Sequence, residues 1–370
     1  MDISLKDLSF KKLLGGLQAA LKDKQSVLGV DIGGSSVKVV QLRKEKERAI
    51  LETYGEVALG PYGGLKIGQN IKLPEDKIAE AVRDVVKESN AKATAAKVAI
   101  PLRSSFVKII TLPVADDSNI SEIIAMEARR HIPIPVSEVA LDWWAIPKTS
   151  DNKNQAKPTN STEVLLVAIH NDVINDYKNI IKKAGLEAAS YEIEAFSVVR
   201  SAISRGSPTI AVVDFGSAST KMAVVDYGII KSSHLINKGS HDITLAMAQS
   251  LGVDFAKAEE MKKEIGLSDL PEHQEIVDVM KPILDYIFHE IGVFLKDFQA
   301  RHNRSVSKII FTGGGSLLKG LSGHGVKRLT VEVEAADPFG KTEHPVFLDK
   351  ILKEIGPNFS VATGLALGEL

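Results

Sequence analysis

The chain of 370 residues contains no cysteine. Disulfide bonds, thiolate metal sites and thiol-based catalysis are therefore excluded, and the composition suits a reducing compartment such as the cytoplasm. The net charge of −1 gives no positive field that would attract nucleic acid. No apolar run approaches the ~20 residues that span a bilayer. These absences leave a globular protein of two or three domains, since one domain has about 150 residues.

Three familiar site signatures are also missing. The only GKT sequence, in AADPFGKT, lacks the first glycine of a P-loop because Ala335 stands at that position. No GxGxxG follows a predicted strand, so a Rossmann dinucleotide site has little support. The nine histidines show no HxH or HExxH spacing, which argues against a histidine metal site.

The main positive signal is a short pattern that occurs twice. VLGVDIGGSSVKVV at 27–40 and IAVVDFGSASTKMA at 210–223 each combine an apolar run, an acid, a Gly/Ser turn and a lysine. The paired positions are Asp31 with Asp214, Gly33 with Gly216, Ser36 with Ser219, and Lys38 with Lys221. Each copy predicts a β-hairpin that opens an α/β half. Two related halves would place the two turns on opposite walls of one cleft.

The residue types in this pattern suit a metal nucleotide. Backbone N–H groups of a Gly/Ser turn can approach phosphate oxygens closely. A carboxylate at the strand end is repelled by phosphate, but it can hold Mg²⁺ or its water shell. Lys38 and Lys221 either reach the phosphates or lie on the solvent face of their strands. A third motif, TGGGS at 312–316, would let the backbone pass close to a flat ligand such as adenosine.

Together these motifs resemble the actin-like ATPase superfamily. DIGGSSVK (31–38) and DFGSASTK (214–221) look like its two phosphate motifs, and TGGGSLLKGL (312–321) looks like its adenosine motif. IEAFSVVRSA (193–202) and ATGLALG (362–368) resemble its two connecting helices. AEEMKKEIG (258–266) is similar to the ribose-contacting helix of MreB and the chaperones. The implied fold is α/β, an actin-like (ribonuclease H-like) fold of two domains.

The segment at 98–185, which reads as strand, strand, helix, strand, strand, helix, identifies the branch. It resembles the inserted α+β subdomain of FtsA and of the PilM family of type IV pilus assembly proteins. IPLRSSFVKIITLP, EARRHIPIPVSEVALDWWAI and VLLVAIHNDVINDYKNIIKKAGLE resemble PilM proteins, and the likeness covers residues 27–370. The implied domains are an N-terminal extension (1–26), a first subdomain (27–97 and 186–206, closed by 357–370), the insert (98–185), a second subdomain (207–240 and 301–356) and a helical subdomain (241–300).

The resemblance implies a site and a cofactor, ATP or ADP with Mg²⁺. Asp31 and Asp214 would position the metal and water, and Glu194, which with Asp214 would be catalytic, stands where the chaperones and MreB carry an acid that orients the attacking water. Glu194 could also be a surface helix cap, so the resemblance implies nucleotide binding and leaves hydrolysis open. The nucleotide-binding residues would be Asp31, Gly33, Gly34, Ser35, Ser36, Lys38, Asp214, Gly216, Ser217, Ser219, Thr220, Glu259, Lys262, Gly313, Gly314, Gly315 and Ser316.

The resemblance also implies a partner. PilM proteins capture the N-terminal cytoplasmic peptide of the membrane protein PilN. PilO, PilP and pilus motor ATPases would be partners only indirectly, through the same assembly. We therefore expect a protein peripheral to the inner membrane. The groove that binds this peptide would lie between the first subdomain and the insert. Arg129, Arg130 and the turn at 132–135 are candidates for it, as is edge pairing along FVKII. The alternatives are an FtsA-like filament protein, which would carry a C-terminal membrane helix, and a small-molecule kinase, whose substrate motif we do not find.

Overall fold

The computed structural model describes residues 26–112, 120–132, 134–146, 161–204 and 206–368. The N-terminal extension lies outside the described residues. The strands are β1 Ser26–Ile32, β2 Ser36–Glu45, β3 Arg48–Ala58, β4 Ala95–Ile100, β5 Ser105–Leu112, β6 Val139–Ala145, β7 Thr162–His170, β8 Glu187–Ile193, β9 Ile210–Phe215, β10 Thr220–Asp226, β11 Ile229–Ile236, β12 Lys308–Thr312 and β13 Glu332–Ala335. The α-helices are α1 Glu75–Glu88, α2 Ile120–His131, α3 Asn171–Lys183, α4 Glu194–Ala202, α5 Ser240–Leu251, α6 Phe255–Ile265, α7 Gln274–His302, α8 Leu321–Leu329, α9 Asp349–Ile355 and α10 Ser360–Leu367.

Two five-stranded sheets have the same topology. Their strand orders are β3-β2-β1-β4-β8 and β11-β10-β9-β12-β13. In each sheet the first three strands are antiparallel neighbours, and the last two are added in parallel. Tight turns join the antiparallel strands, whereas parallel strands need a longer crossover. The repeat seen in the sequence is therefore a repeat of whole sheets.

A separate three-stranded antiparallel sheet, ordered β5-β7-β6, forms the insert. Helix α2 covers one face of it, where Ile124 and Ala128 pack against Leu112 and Leu166. The predicted order of elements over 98–185 is confirmed.

Two elements at the ends of the predicted insert, 98–185, pack with the first half of the molecule: strand β4 and helix α3. Strand β4 is a central strand of the first sheet. Helix α3 packs there too, since Ile180 and Ile181 share a core with Val82 and Val85 of α1. Both elements bury their apolar faces in the first half, so they belong to its core.

Helices α4 and α10, the two predicted connecting helices, cross at very short range. A Cβ added to Gly364 would lie 1.9 Å from the backbone oxygen of Ser197, and one added to Gly29 of β1 would lie 2.1 Å from that of Ala362. Only glycine permits these approaches. Side chains of these two helices, among them Val198 and Leu365, share one core with Ala99 of the first sheet and Val212 of the second. Within the described ranges, none of the helices combines the length and apolarity needed to cross a bilayer.

Candidate functional site

The two repeated turns have the same geometry. Asp31 of β1 is the cross-strand partner of Lys38 on β2, and Asp214 of β9 is likewise the partner of Lys221 on β10. The Gly33 amide donates to the Ser36 carbonyl oxygen at 2.9 Å. The equivalent bond in the second hairpin, from Gly216 to Ser219, measures 3.1 Å. The predicted repeat is thus confirmed in its strand register and in its hydrogen bonding.

The two turns line one cavity of about 570 Å³. Nearly all the predicted site residues contribute to its wall, from both sheets and from helix α6. They are Asp31, Gly33, Gly34, Ser35, Ser36, Lys38, Glu194, Asp214, Gly216, Ser217, Ser219, Glu259, Lys262, Gly313, Gly314 and Gly315. The sequence pattern therefore identified a group of residues that folding brings together.

Two predicted site residues, Thr220 and Ser316, are not part of this wall. The Thr220 hydroxyl is buried and donates to the Lys238 carbonyl oxygen at 2.9 Å. The Ser316 hydroxyl donates to the Gly313 carbonyl oxygen at 2.6 Å. Both hydroxyls stabilise turns of the protein itself, so their predicted ligand contacts are not supported by their positions.

Asp31 presents a buried carboxylate to the cavity. Burial raises its pKa from 3.8 to about 6, against the lowering effect of the Lys38 ammonium. Lys38 itself donates to Ser36 Oγ at 2.9 Å and lies 3.7 Å from Glu56 Oε1. The expectation that Lys38 might lie on the solvent face is wrong, because its side chain is buried in the cleft. A buried acid with a raised pKa gains stability from a nearby cation.

Asp214 differs from Asp31 in its partner. Its Oδ2 accepts a bond from Lys221 Nζ at 3.0 Å, and the same ammonium donates to Glu194 Oε2 at 2.9 Å. Burial lowers the pKa of Lys221, but the Asp214 and Glu194 carboxylates outweigh it and raise that pKa overall. Asp214 is therefore paired with a cation of the protein, which it shares with Glu194. Of the two predicted metal ligands, only Asp214 has such an ion pair within the part of the chain that the structure describes.

Glu194 is the first residue of α4 and is buried, so the alternative of a surface cap is wrong. Its Oε1 accepts a hydrogen bond from the Leu102 amide at 2.6 Å. Leu102 follows β4 in a short 3₁₀ turn that leads into the insert. The Glu194 carboxylate therefore joins three segments that are distant in the chain.

Glu259 and Lys262 form an ion pair of 2.6 Å on the wall formed by α6. Thr244 Oγ1 donates to Glu259 Oε2 at 2.6 Å. Burial alone would raise the pKa of Glu259, but the Lys262 ammonium outweighs it and holds that pKa below its usual value. Burial lowers the pKa of Lys262. Both side chains line the cavity where the resemblance places the sugar.

The glycines of TGGGS have a function that sequence reasoning missed. Gly313 has φ +82°, and a Cβ there would lie 2.3 Å from Asp214 Oδ1. A Cβ on Gly315 would lie 2.7 Å from the Phe215 carbonyl oxygen. Two of the three glycines thus allow the loop to pack against the end of β9. Gly314 faces Asn358, whose Oδ1 would be 2.8 Å from its Cβ.

Further cavity residues were not predicted. Arg103 brings a cation from the turn that leads into the insert, and Asn358 donates to Glu56 Oε2 at 2.8 Å. Arg103 stands three residues after the end of β4 in IPLRSS, so a basic residue soon after a buried strand was the available signal. Nothing in the local pattern around Glu56 or Asn358 distinguishes them from surface residues, because their place in the cavity depends on distant segments.

An unsatisfied polar atom tests whether a phosphate ligand fits. The Ser219 hydroxyl oxygen, in the second turn, is buried and has no hydrogen-bond partner in the structure. A buried hydroxyl without a partner is costly, and a ligand oxygen would satisfy it. The described residues contain no cluster of three acidic or histidine side chains that would enclose a metal. Mg²⁺ does not need one, since it usually keeps several waters and takes one or two carboxylates.

A second, mostly apolar cavity of about 870 Å³ lies between the insert and the first half. Strands β6 and β7 of the insert form one wall, and β8 and α4 of the first half form another. Trp144 is about half exposed there, and its ring lies 5.6 Å from that of Phe196. We call this the insert groove. Its lining residues include Leu141, Asp142, Trp144, Ile146, Leu165, Val167, Ile169, Tyr191, Glu192, Phe196, Val199, Arg200, Ile203, Ile229 and Lys341.

The residues predicted to bind the peptide, Arg129, Arg130 and the FVKII strand, do not line the insert groove. Arg129 and Arg130 are exposed at the end of α2, where Arg130 pairs with Glu127 at 2.6 Å, and neither lines the insert groove. Strand β5 is an edge of its sheet but lies beside β11. The neighbouring tryptophans point to opposite faces of β6, as adjacent residues of a strand must: Trp143 packs on the insert core and Trp144 faces the groove.

Comparisons with known proteins agree with this geometry. The model of the family described as "Type IV pilus assembly protein PilM" matches residues 29–370. The cell division protein FtsA of Bacillus subtilis (strain 168) is 23% identical over 272 residues, which cover 66% of this chain but only 59% of that relative. This chain thus matches less than two thirds of the length of FtsA.

Two solved structures are similar in fold. A PilM–PilN type IV pilus biogenesis complex has a TM-score of 0.76 at 24% identity, over 92% of this chain and 97% of that chain. MreB5 of Spiroplasma citri bound to ADP has a TM-score of 0.53 at 11% identity, over 93% of this chain and 96% of that chain. The predicted actin-like fold is confirmed.

Proposed function

The chain belongs to the PilM family of type IV pilus assembly proteins, and from this premise we propose that it binds ATP or ADP in the cleft and the N-terminal segment of PilN in the insert groove. It would act at the cytoplasmic face of the inner membrane, where PilN would hold it. The observation that carries the nucleotide half is the pair of equivalent turns that face one cavity. A protein of the same fold, MreB5, has ADP bound.

The cavity offers complementary chemistry to a nucleotide. The turns at 33–36 and 216–219 supply backbone N–H groups and hydroxyls for phosphate oxygens, among them the unsatisfied Ser219 Oγ. Lys38 and Arg103 add positive charge to the same wall. Glu259 and Lys262 present polar atoms for the sugar. When bound, Mg²⁺ would offset phosphate charge, and Asp31 would hold it or its waters.

The insert groove has the character of a site for a short apolar peptide. Its wall is mostly aliphatic and aromatic, with Trp144 and Phe196 as large surfaces. Asp142, Glu192 and Arg200 stand among them as polar groups that could fix the direction of the peptide. The solved relative is a complex of PilM with PilN, which makes PilN the proposed partner.

A binding titration tests the nucleotide site. We expect the protein to bind a fluorescent ADP analogue that unlabelled ADP displaces. Asp31→Asn should weaken binding about tenfold or more in Mg²⁺ and much less in EDTA, because it removes the carboxylate proposed to hold the metal. Asp226→Asn is the matched control, since Asp226 is equally buried at the end of β10 but lies outside the cavity. Equal affinity of Asp31→Asn and wild type in Mg²⁺ would sink the metal assignment.

A second titration tests the partner. A synthetic peptide with the N-terminal cytoplasmic sequence of PilN from the same genome should bind the protein, and a scrambled peptide should not. Isothermal titration calorimetry measures both. If the two peptides bind equally or neither binds, the PilN half of the proposal fails while the nucleotide half stands.

A further inference from the structure

The two most exposed large apolar side chains among the described residues are neighbours in the chain. Val346 is 83% exposed and Phe347 is 82% exposed, and Ile351 of α9 adds a third apolar side chain that is about half exposed. None of the three lines the nucleotide cavity or the insert groove. We call these three residues the apolar tip. Scattered apolar residues are normal on a surface, whereas adjacent ones indicate an interaction site.

The segment that carries the apolar tip is held against the edge of the first sheet. Glu343 bridges β3: its amide donates to the Ala49 carbonyl oxygen at 2.7 Å, and its own carbonyl oxygen accepts from the Leu51 amide at 2.9 Å. On the other side of the tip, Leu352 of α9 is buried in a core with side chains of β2. The apolar tip therefore projects from a segment that is anchored at both ends.

The part of the N-terminal extension that precedes β1, residues 1–25, joins the first sheet near this segment. Ser26, the first residue of β1, is the cross-strand partner of Arg43 on β2. Arg43 is also the partner of Ile50 on β3, and Ile50 bridges to Glu343. These four residues form one row across the sheet, so three strand spacings, about 15 Å, separate Ser26 from Glu343.

The sequence of residues 1–25, MDISLKDLSFKKLLGGLQAALKDKQ, contains an apolar face of its own. At about 100° per residue, its large apolar side chains from position 10 onward fall within an arc of about 100°. They are Phe10, Leu13, Leu14, Leu17 and Leu21. Gly15 and Gly16 interrupt the pattern and would cost a helix about 1 kcal/mol each, so a helix here needs a surface to stabilise it.

We propose that residues 1–25 dock their apolar face on the apolar tip of the same chain. Leu21 stands five residues before Ser26, and five extended residues span about 17 Å, which is enough to cross the row that ends at Glu343. So short a tether gives a millimolar effective concentration, with which a second copy or a membrane would have to compete. The docked segment would cover Val346 and Phe347.

This docking is independent of the proposed function, because neither the nucleotide cavity nor the insert groove takes part in it. The family match begins at residue 29 and so leaves residues 1–25 outside it. The apolar tip would then be the site at which this chain holds a segment that the family match does not include.

The absence of cysteine allows a cross-linking test on the full chain. Ala20→Cys places a thiol beside the apolar face of residues 1–25, and Lys350→Cys places a second thiol on the exposed surface next to the apolar tip. A short bis-maleimide joins the two thiols at low protein concentration. Intact mass spectrometry then gives the yield of monomer and of dimer that carry the linker.

The matched control pair combines Ala20→Cys with Thr94→Cys. Thr94 is exposed and stands two residues before Ala96, the partner of Leu28 on the neighbouring strand β1. It therefore lies about one strand spacing from Ser26, nearer than the tip does, but on the opposite side. If residues 1–25 sampled the surface freely, they would cross-link to Thr94→Cys at least as fast as to Lys350→Cys.

The same pairs are then made with the tip altered. Val346→Ser together with Phe347→Ser removes the apolar surface at exposed positions, and Leu270→Ser is the control, since Leu270 is a half-exposed apolar residue far along the chain from the tip. Trypsin supplies a second measurement without cysteines, because residues 1–25 contain five lysines at which it can cut. The rate of cleavage follows the undocked fraction.

The pair with Lys350→Cys should cross-link within the monomer at least about tenfold faster than the control pair, which corresponds to about 1.4 kcal/mol of docking free energy. The two serine substitutions at the tip should remove this preference and speed tryptic cleavage of residues 1–25 about tenfold. Leu270→Ser should change neither. Equal cross-linking of the two pairs, or a preference that survives the serine substitutions, overturns the inference.

Two further outcomes would also overturn it by assigning residues 1–25 to another occupant. Cross-linked dimer in place of cross-linked monomer would show that a second copy of the chain holds them. Protection from trypsin that arises only when vesicles of phosphatidylethanolamine and phosphatidylglycerol are added would show that a membrane surface holds them.

Discussion

Lys221 and Asp214 face each other across adjacent strands and meet at 3.0 Å, whereas Lys38 and Asp31 share the same register but find different partners. Lys38 donates to Ser36 and lies near Glu56, so Asp31 keeps a carboxylate that faces the cavity. One repeated pattern therefore yields two chemically different acids. Four predictions follow from this and from the packing around it.

Stability should depend on pH through Asp31. Its pKa is 3.8 when unfolded and about 6 when folded, so the folded state holds the proton more tightly. Stability is then lost as the pH rises from about 4 to 6, and ionised Asp31 destabilises the fold above that window. The difference in unfolding free energy between Asp31→Asn and wild type should grow by about 2–3 kcal/mol in favour of the variant between pH 4 and pH 7.5. Urea unfolding without nucleotide measures it, and a difference independent of pH would contradict the assignment.

Peptide binding should depend on Trp144 and not on Arg130. Trp144→Ala removes a half-exposed aromatic surface from the insert groove. It should weaken the affinity for the PilN peptide at least about tenfold, as truncation of an aromatic anchor usually does. Arg130→Ala changes an exposed side chain outside the groove and should leave affinity unchanged. Fluorescence anisotropy with a labelled peptide measures both. The opposite ranking would move the site to the end of α2.

Gly313→Ala should lower the unfolding free energy by more than the strain of its positive φ alone would. Its Cβ would lie 2.3 Å from Asp214 Oδ1, in addition to the strain of φ +82°. Gly185→Ala is the matched control, because Gly185 has the same φ and open space around it. The control should cost about 1 kcal/mol of unfolding free energy, whereas Gly313→Ala should cost several and abolish nucleotide binding. Equal costs in chemical denaturation would show that the loop can move away.

Gly364→Ala should separate the connecting helices. A Cβ there would meet the Ser197 backbone oxygen at 1.9 Å, so α10 must shift away from α4. Gly323 of α8 is a helical glycine with open space, and Gly323→Ala should stabilise the protein by about 0.5–1 kcal/mol. The two substitutions, identical in chemistry, should therefore move the melting temperature in opposite directions. A rise for both would mean that the crossing is not tight.

Local pattern carried much of the prediction. Apolar runs on either side of the Gly/Ser turns after Asp31 and Asp214 were enough to predict two hairpins, and the glycine and serine of those turns were enough to predict that they can approach phosphate. The superfamily resemblance then added the helix with Glu259 and Lys262, which does reach the cavity. Thr220 and Ser316 do not line the cavity, and their hydroxyls donate to backbone oxygens of the protein, which sequence alone does not reveal.

The sequence by itself determined the repeated strand–turn–strand units, because strand formation and turn geometry depend on residues within a few positions of one another. Tertiary structure alone decided that Lys221 pairs with both Asp214 and Glu194, that Glu194 reaches Leu102 across 92 positions of the chain, and that the apolar groove lies beside Trp144 and away from Arg130. Those contacts join segments that the local pattern leaves independent. They are set by how two similar sheets, an inserted sheet and two crossing helices bury their apolar faces together.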